Sequence, residues 1–205
     1  DFFKWWVSIQ SIVSDNLILV VVYSYLLGSI PFGLIVTKFF LKKDIRKIGS
    51  GNIGTTNVLR TGNKLLAILT LIFDIFKGLV SVYLTTKYFS EFIYLSGLVC
   101  FLGHIFPVWL KFKGGKGIAT YLGIMFAISF KLALVFGISW LIILYITRYS
   151  SLSSIIGSLN VFIFSILSEV ISADFFYFTF LIIIIFTHKE NIMRLRNNTE
   201  DKINF

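Results

Sequence analysis

Charge is scarce in this chain, and so are cysteine, proline and histidine. Of 205 residues, 14% are charged, one is cysteine (Cys100), two are proline (Pro31 and Pro107) and two are histidine (His104 and His188). A single cysteine rules out a disulfide within the chain and any metal centre built on cysteines; separately, no motif calls for a metal or a cofactor, and none is expected. The scarcity of charge has its complement in 57% hydrophobic residues and a mean hydropathy of +0.87. A water-soluble domain has no place for that much apolar surface; the composition predicts an all-α integral membrane protein. Acidic residues are scarcer than basic ones, ten against nineteen, for a net charge of +9. The basic residues gather between apolar runs, the pattern of loops that face anionic headgroups or an anionic substrate rather than nucleic acid.

A helix needs about 20 apolar residues to cross the hydrocarbon core. Runs that qualify lie at 16–39, where Pro31 should kink the helix, at 65–89 and at 92–110. Residues 118–147 are too long for one ordinary span and read as two short helices, 118–130 and 132–147, turning at "SFKL". Runs at 151–171 and 174–187 complete the set. Seven spans with the N-terminus outside put 15 of the 19 Lys and Arg on the inner side and three (Lys4, Lys87, Lys131) outside, with Lys77 in the membrane. Six spans give ten against seven, so the positive-inside rule selects seven with a cytoplasmic C-terminus. One short pair could instead be re-entrant, leaving five spans and the same parity. Residues 1–15 set Trp5 and Trp6 beside Lys4 and read as an interfacial helix, with 16–205 forming the membrane domain.

This topology gathers three polar segments on the cytosolic face. The first, "IRKIGSGNIGTTNVLRTGNK" (45–64), offers hydroxyl and amide groups at Ser50, Asn52, Thr55, Thr56 and Asn57, and a guanidinium fork suited to phosphate at Arg60. Its glycines also suit an ordinary connecting loop with helix caps. In the second, "KFKGGKGIAT" (111–120), Gly114, Gly115 and Gly117 can present backbone N–H groups to an anion, helped by the N-terminus of the next helix, with Lys113 and Lys116 adding charge. The nucleotide-binding pattern G-x-x-x-x-G-K-[ST] is not met, because Gly115-Lys116 is followed by Gly117. A basic juxtamembrane loop would account for the lysines but not for the glycines. In the third, "THKENIMRLRNN" (187–198), His188 and Asn191 share a helix face to which Arg194 comes round, while Glu190 lies off it. His188 suits a general base or a phosphate donor, or simply a polar helix end.

Within the spans, Asp74 and Lys77 stand i, i+3 and can neutralise each other facing the bundle interior, chiefly as a structural pair and secondarily, with His104 and Glu190, in support of the site. His104, before Pro107, reads as a buried hydrogen-bonding histidine. The H-x-x-x-x-D acyltransferase pattern is absent: Trp109 follows His104 by five, and Met193 follows His188 by five.

Together, "GSIPFG", "GSGNIGTTNVLR", "DIFKG", "GHIFPVWLKFKGGKGIAT" and "HKENIMRL" resemble the acyl-phosphate-dependent glycerol-3-phosphate acyltransferases of bacteria, the PlsY type, over about 24–196. Thr55 departs from the alanine usual there, and the first 15 residues match nothing in the family. The resemblance implies a seven-helix enzyme of the bacterial cytoplasmic membrane that transfers an acyl group from acyl phosphate to the 1-hydroxyl of sn-glycerol 3-phosphate. It implies phosphate contacts from Ser50, Arg60 and Lys116, a loop shaped by Gly114, Gly115 and Gly117, and a site completed by His188 and Asn191, with membrane lipids and a soluble acyl-phosphate-producing transacylase as functional partners. A transporter for phosphate-bearing anions and a non-catalytic lipid-binding scaffold are the alternatives. The transporter sits less well with polar segments gathered on one face, and the scaffold predicts that Arg60→Ala and Lys116→Ala change headgroup binding without abolishing turnover.

Overall fold

Two sequence features set the course of the chain: apolar runs long enough to be helices, and small residues where those helices must touch. The computed structural model describes residues 2–168 and 173–203, with side chains from residue 15 onward. Ten α-helices are described: α1 (Phe2–Ser29), α2 (Phe32–Leu41), α3 (Thr55–Leu59), α4 (Lys64–Tyr88), α5 (Ile93–Ile105), α6 (Ile118–Ile128), α7 (Phe130–Thr147), α8 (Ser150–Leu167), α9 (Asp174–Thr187) and α10 (Lys189–Arg196). The protein is an all-α polytopic membrane protein. Among the described residues five helices are long and apolar enough to cross a bilayer, six if α9 and α10, bent by 60°, count as one. Large apolar side chains such as Tyr145, Leu167 and Phe175 lie on the outside, as lipid-facing surface requires and water would not tolerate.

Breaks fall where the sequence predicts them. Pro31 cannot continue α1 and caps α2 instead. Ser129 separates α6 from α7, within the predicted turn. The predicted interfacial segment continues into the first span, as α1 runs unbroken from Phe2, and its side chains lie outside the described residues. The predicted end of the sixth run at 171 likewise lies outside them; α8 closes at Leu167.

In lipid, helices gain from close backbone approach and from hydrogen bonds across the interface. A Cβ on Gly78 would stand 2.3 Å from the Thr120 carbonyl oxygen and one on Gly123 1.9 Å from that of Ile75, so both glycines are needed for the α4–α6 crossing. Between α1, α4 and α5, the Ser96 hydroxyl meets those of Ser24 (2.9 Å) and Ser81 (3.0 Å) in a buried seam. The remaining core is aromatic: Phe180 lies 4.8 Å from Phe101 and 5.2 Å from Tyr121, centroid to centroid. This packing fixes the ends of α4, α6 and α9, which adjoin the polar segments.

Candidate active site

The three polar segments meet. They line one cavity of about 370 Å³, whose wall also carries apolar side chains: Leu71 of α4, Leu122 of α6 and Phe136, Trp140 and Leu141 of α7.

The first segment is a loop tied around one amide. Asn57, nearly fully buried, donates from Nδ2 to the carbonyls of Ile45, Ile48 and Asn52 and accepts from the Ser50 N–H at 3.0 Å. Asn52 accepts from the Gly54 N–H at 3.0 Å. Asp44 caps the turn at Ile45–Lys47 and pairs with Arg46 at 2.6 Å, a hydrogen bond that holds its carboxyl well below the usual range. Gly49 sits at φ +53°, where a Cβ would meet Asn57 Oδ1 at 2.5 Å. The loop therefore holds its shape unaided and presents Ser50, Thr55, Thr56 and Arg60 to the cavity. Asn57 lines the cavity too, but its expected role as a phosphate ligand gives way to that of organiser: its amide is already committed.

The glycine loop departs further from expectation. The Gly114 and Gly115 N–H groups donate to the Ile105 and His104 carbonyls at 2.9 and 3.0 Å, so they do not form an anion cradle. They serve close approach instead. A Cβ at Gly115 would stand 2.0 Å from His104 Nε2, and one at Gly114 2.1 Å from the His104 carbonyl oxygen. Lys113 is exposed and does not line the cavity, whereas Lys116 and Gly117 do. Gly117, at φ +81°, caps α6 and packs on the Phe101 ring, which directs Lys116 inward. Lys116 Nζ donates to Asn191 Oδ1. Burial brings its pKa down to about 8, opposed by the Glu200 carboxylate and aided by Arg194.

At the third segment the 60° bend between α9 and α10 falls on His188. Its Nδ1 lies 2.8 Å from the Ile184 carbonyl oxygen, which can only accept, so Nδ1 carries the proton and Nε2 keeps its lone pair. His188 and Asn191 are both buried and line the cavity. Glu190 is exposed, 4.0 Å from Arg194 Nη1, and stays outside.

The membrane-depth groups lie beneath. Lys77 Nζ is 2.8 Å from Asp74 Oδ1 and donates to the Ile30 carbonyl at the Pro31 break and to His104 Nδ1, each at 2.9 Å. Asp74 and His104 reach the cavity wall; Lys77 does not.

Sequence reasoning missed the C-terminal tail. Glu200 accepts from Asn191 Nδ2 (2.6 Å), Ser151 Oγ (2.7 Å) and Arg194 Nε (2.7 Å). Burial pushes its pKa up, but these three hydrogen bonds outweigh it and hold the carboxyl below the ordinary glutamate value. Asp201 pairs with Arg60 at 3.0 Å. An acidic pair in an otherwise basic tail was the available signal. Ser150 of α8, 3.3 Å from the Thr56 hydroxyl, was missed as well.

Comparison with known proteins accords with this arrangement. Residues 18–198 match the family model described as glycerol-3-phosphate acyltransferase. The chain is 54% identical over 185 residues to the glycerol-3-phosphate acyltransferase of Pelagibacter ubique, covering 90% of this chain and 96% of that one. It is 50% identical over 192 residues to that of Brucella anthropi, covering 93% and 95%. Its fold is similar to crystal structures of PlsY, an integral membrane glycerol 3-phosphate acyltransferase. The TM-score is 0.86 for the glycerol 3-phosphate form and 0.83 for the lysophosphatidic acid form, each at 38% identity over 91% of this chain and 95% of that one. A cavity lined by cationic, polar and apolar side chains, matching family sequence over nearly the whole chain, and the same helical frame lead to one conclusion: the chain belongs to the glycerol-3-phosphate acyltransferase family, the PlsY type.

Proposed function

We infer that this chain, a multi-pass protein of the bacterial inner membrane, transfers a fatty acyl group from acyl phosphate to the 1-hydroxyl of glycerol 3-phosphate, giving lysophosphatidate and inorganic phosphate. The observation that carries the reading is the mixed lining of the cavity. Arg60 and Lys116 stand there among hydroxyls and amides, and Leu71, Leu122, Phe136, Trp140 and Leu141 share its wall. Both substrates are phosphate-bearing anions and one carries a hydrocarbon chain, so one cavity with both kinds of lining suits the pair. Ser50, Arg60 and Lys116 hold the phosphates, and the acyl chain lies along Leu71, Leu122 and Trp140.

Acyl phosphate is a mixed anhydride with a good leaving group, so positioning and charge stabilisation carry much of the barrier. The 1-hydroxyl oxygen attacks the acyl carbonyl, the carbon–oxygen bond to phosphate breaks, and the hydroxyl proton leaves with the phosphate, directly or through His188 Nε2. Lys116, cationic below about pH 8, stabilises the charge that develops on the departing phosphate. Transfer is direct, without an acyl-enzyme. Cys100 is fully buried away from the cavity, and the histidines direct their described hydrogen bonds elsewhere: His104 to Lys77 and Thr120, His188 to Ile184 and Thr187.

Seven crossings with the N-terminus outside, counting the short α6, place the polar segments of the cavity on the cytosolic side. Convergence of the loops after α2, α5 and α9 on one cavity supports an even number of crossings between each pair. The basic cytosolic loops suit a soluble acyl-phosphate-producing transacylase as supplier. The test is purified protein given palmitoyl phosphate or palmitoyl-CoA with glycerol 3-phosphate. Phosphate and lysophosphatidate should appear together, with acyl phosphate only. Product from palmitoyl-CoA would refute the donor, and binding without product would favour the transport reading. Impermeant labelling of single cysteines at positions 50, 116 and 188 should report one face.

A further inference from the structure

The cavity wall carries a negative group at the place where both substrates bring one. After α10 the chain turns back at Asn198 (φ +56°), held by a hydrogen bond from the Thr199 N–H to the Arg194 carbonyl at 2.8 Å. Two acidic residues follow, in different settings. Glu200 points inward and is closed off by its three donors. Asp201 turns to Arg60, Oδ2 3.0 Å from Nη2, with its side chain 75% exposed. The tail does not wander here: the Ile203 N–H donates to the Arg148 carbonyl at 2.9 Å, and Lys202 lies over the Tyr149 ring.

A carboxylate meets a guanidinium through the same planar fork that a phosphate uses. Asp201 takes the Nη2 end of the Arg60 guanidinium, so a phosphate that uses the Nη1–Nη2 fork must displace it. We propose that Asp201 is a built-in competitor for the substrate phosphate: it holds Arg60 in the empty site, gives way when a phosphate enters, and returns as the product phosphate leaves. Its effect is on affinity. It weakens the hold on glycerol 3-phosphate and on inorganic phosphate alike, and so keeps Arg60 from retaining the product phosphate. An exposed ion pair contributes little, so the competition amounts to about two- to five-fold in binding.

The inference rests on Arg60 as a phosphate ligand, and the experiment separates the two ideas. Wild type, Asp201→Asn, Arg60→Ala and the double variant are compared for the KM of glycerol 3-phosphate at saturating palmitoyl phosphate and for inhibition by inorganic phosphate. Melting temperatures serve as a control of folding. Asp201→Asn should lower both constants by about two- to five-fold at low ionic strength, and the difference should shrink as salt rises. It should vanish in the Arg60→Ala background. An unchanged or raised KM in Asp201→Asn overturns the proposal, even if Arg60→Ala raises KM as the site requires. Persistence of the effect without Arg60 also overturns it, since Asp201 would then act through general charge. If Arg60→Ala leaves KM unaltered, the assignment of Arg60 fails and takes the proposal with it.

Discussion

Two buried polar clusters flank the cavity, and they are built to opposite rules. Deep in the bundle, the Lys77 ammonium is taken up by Asp74, His104 and the Ile30 carbonyl and does not line the cavity, although Asp74 and His104 do. At the polar wall, Lys116, Asn191, Arg194 and Glu200 also interlock, yet Lys116 and Arg60 still face the open cavity. A closed cluster holds helices together; an open one has cationic capacity left for a ligand. Charge burial alone does not distinguish structure from function, whereas the direction in which the charges face does.

The sharpest way to break this comparison is to open the closed cluster. Lys77→Ala strands the Asp74 carboxylate and should cost about 3–5 kcal/mol, seen as loss of folded protein or a large fall in melting temperature in detergent. Asp74→Leu with Lys77→Met should recover most of that stability, because removing both charges leaves none unpaired. The open cluster should behave the other way. Lys116→Ala should cost about 10²–10³ in kcat/KM, with a stability loss of about 1 kcal/mol. If both single variants lost stability equally, the distinction would collapse.

A pH profile sharpens it further. Lys116 is cationic below about 8 and loses its proton as the pH rises through that value, so the rate should fall on the alkaline side of 8. Lys116→Arg keeps its charge there and should remove that limb of the profile, whatever its effect on absolute rate. The smallest expected effect concerns the apolar lining. A Cβ at Gly137 would meet nothing within 4 Å, and Gly137 lines the cavity. Gly137→Leu should fill this space and lower the preference for palmitoyl over octanoyl phosphate by about ten-fold in the ratio of kcat/KM, without loss of stability.

The spans were legible because hydropathy and length decide them one segment at a time: the breaks at Pro31 and near Ser129 follow from the local chain. Polar density in an apolar chain marked Ser50, Arg60 and Lys116, whereas His188 and Asn191 were joined to them by the family resemblance; all five line one cavity. What stayed hidden depends on partners distant in sequence. Nothing local says that Gly115 is a glycine because the His104 ring lies against it, or that the Asn57 amide is taken by three carbonyls of its own loop. Glu200 was missed for the same reason: it reads as one more charge in a polar tail until the fold brings Ser151 and Asn191 to it.

The brevity of α6 makes the surrounding lipid part of the enzyme. Eleven residues at 1.5 Å each reach about 16 Å, roughly half the hydrocarbon thickness. Lys116 stands just before the Gly117 cap of that helix, so under the proposed seven crossings the bilayer dimples toward the site or the site sits below the headgroups. Either way the depth at which water-soluble and lipid substrates meet is set jointly by protein and membrane. Thicker bilayers would bury the meeting point, and thinner ones would bring it to the surface.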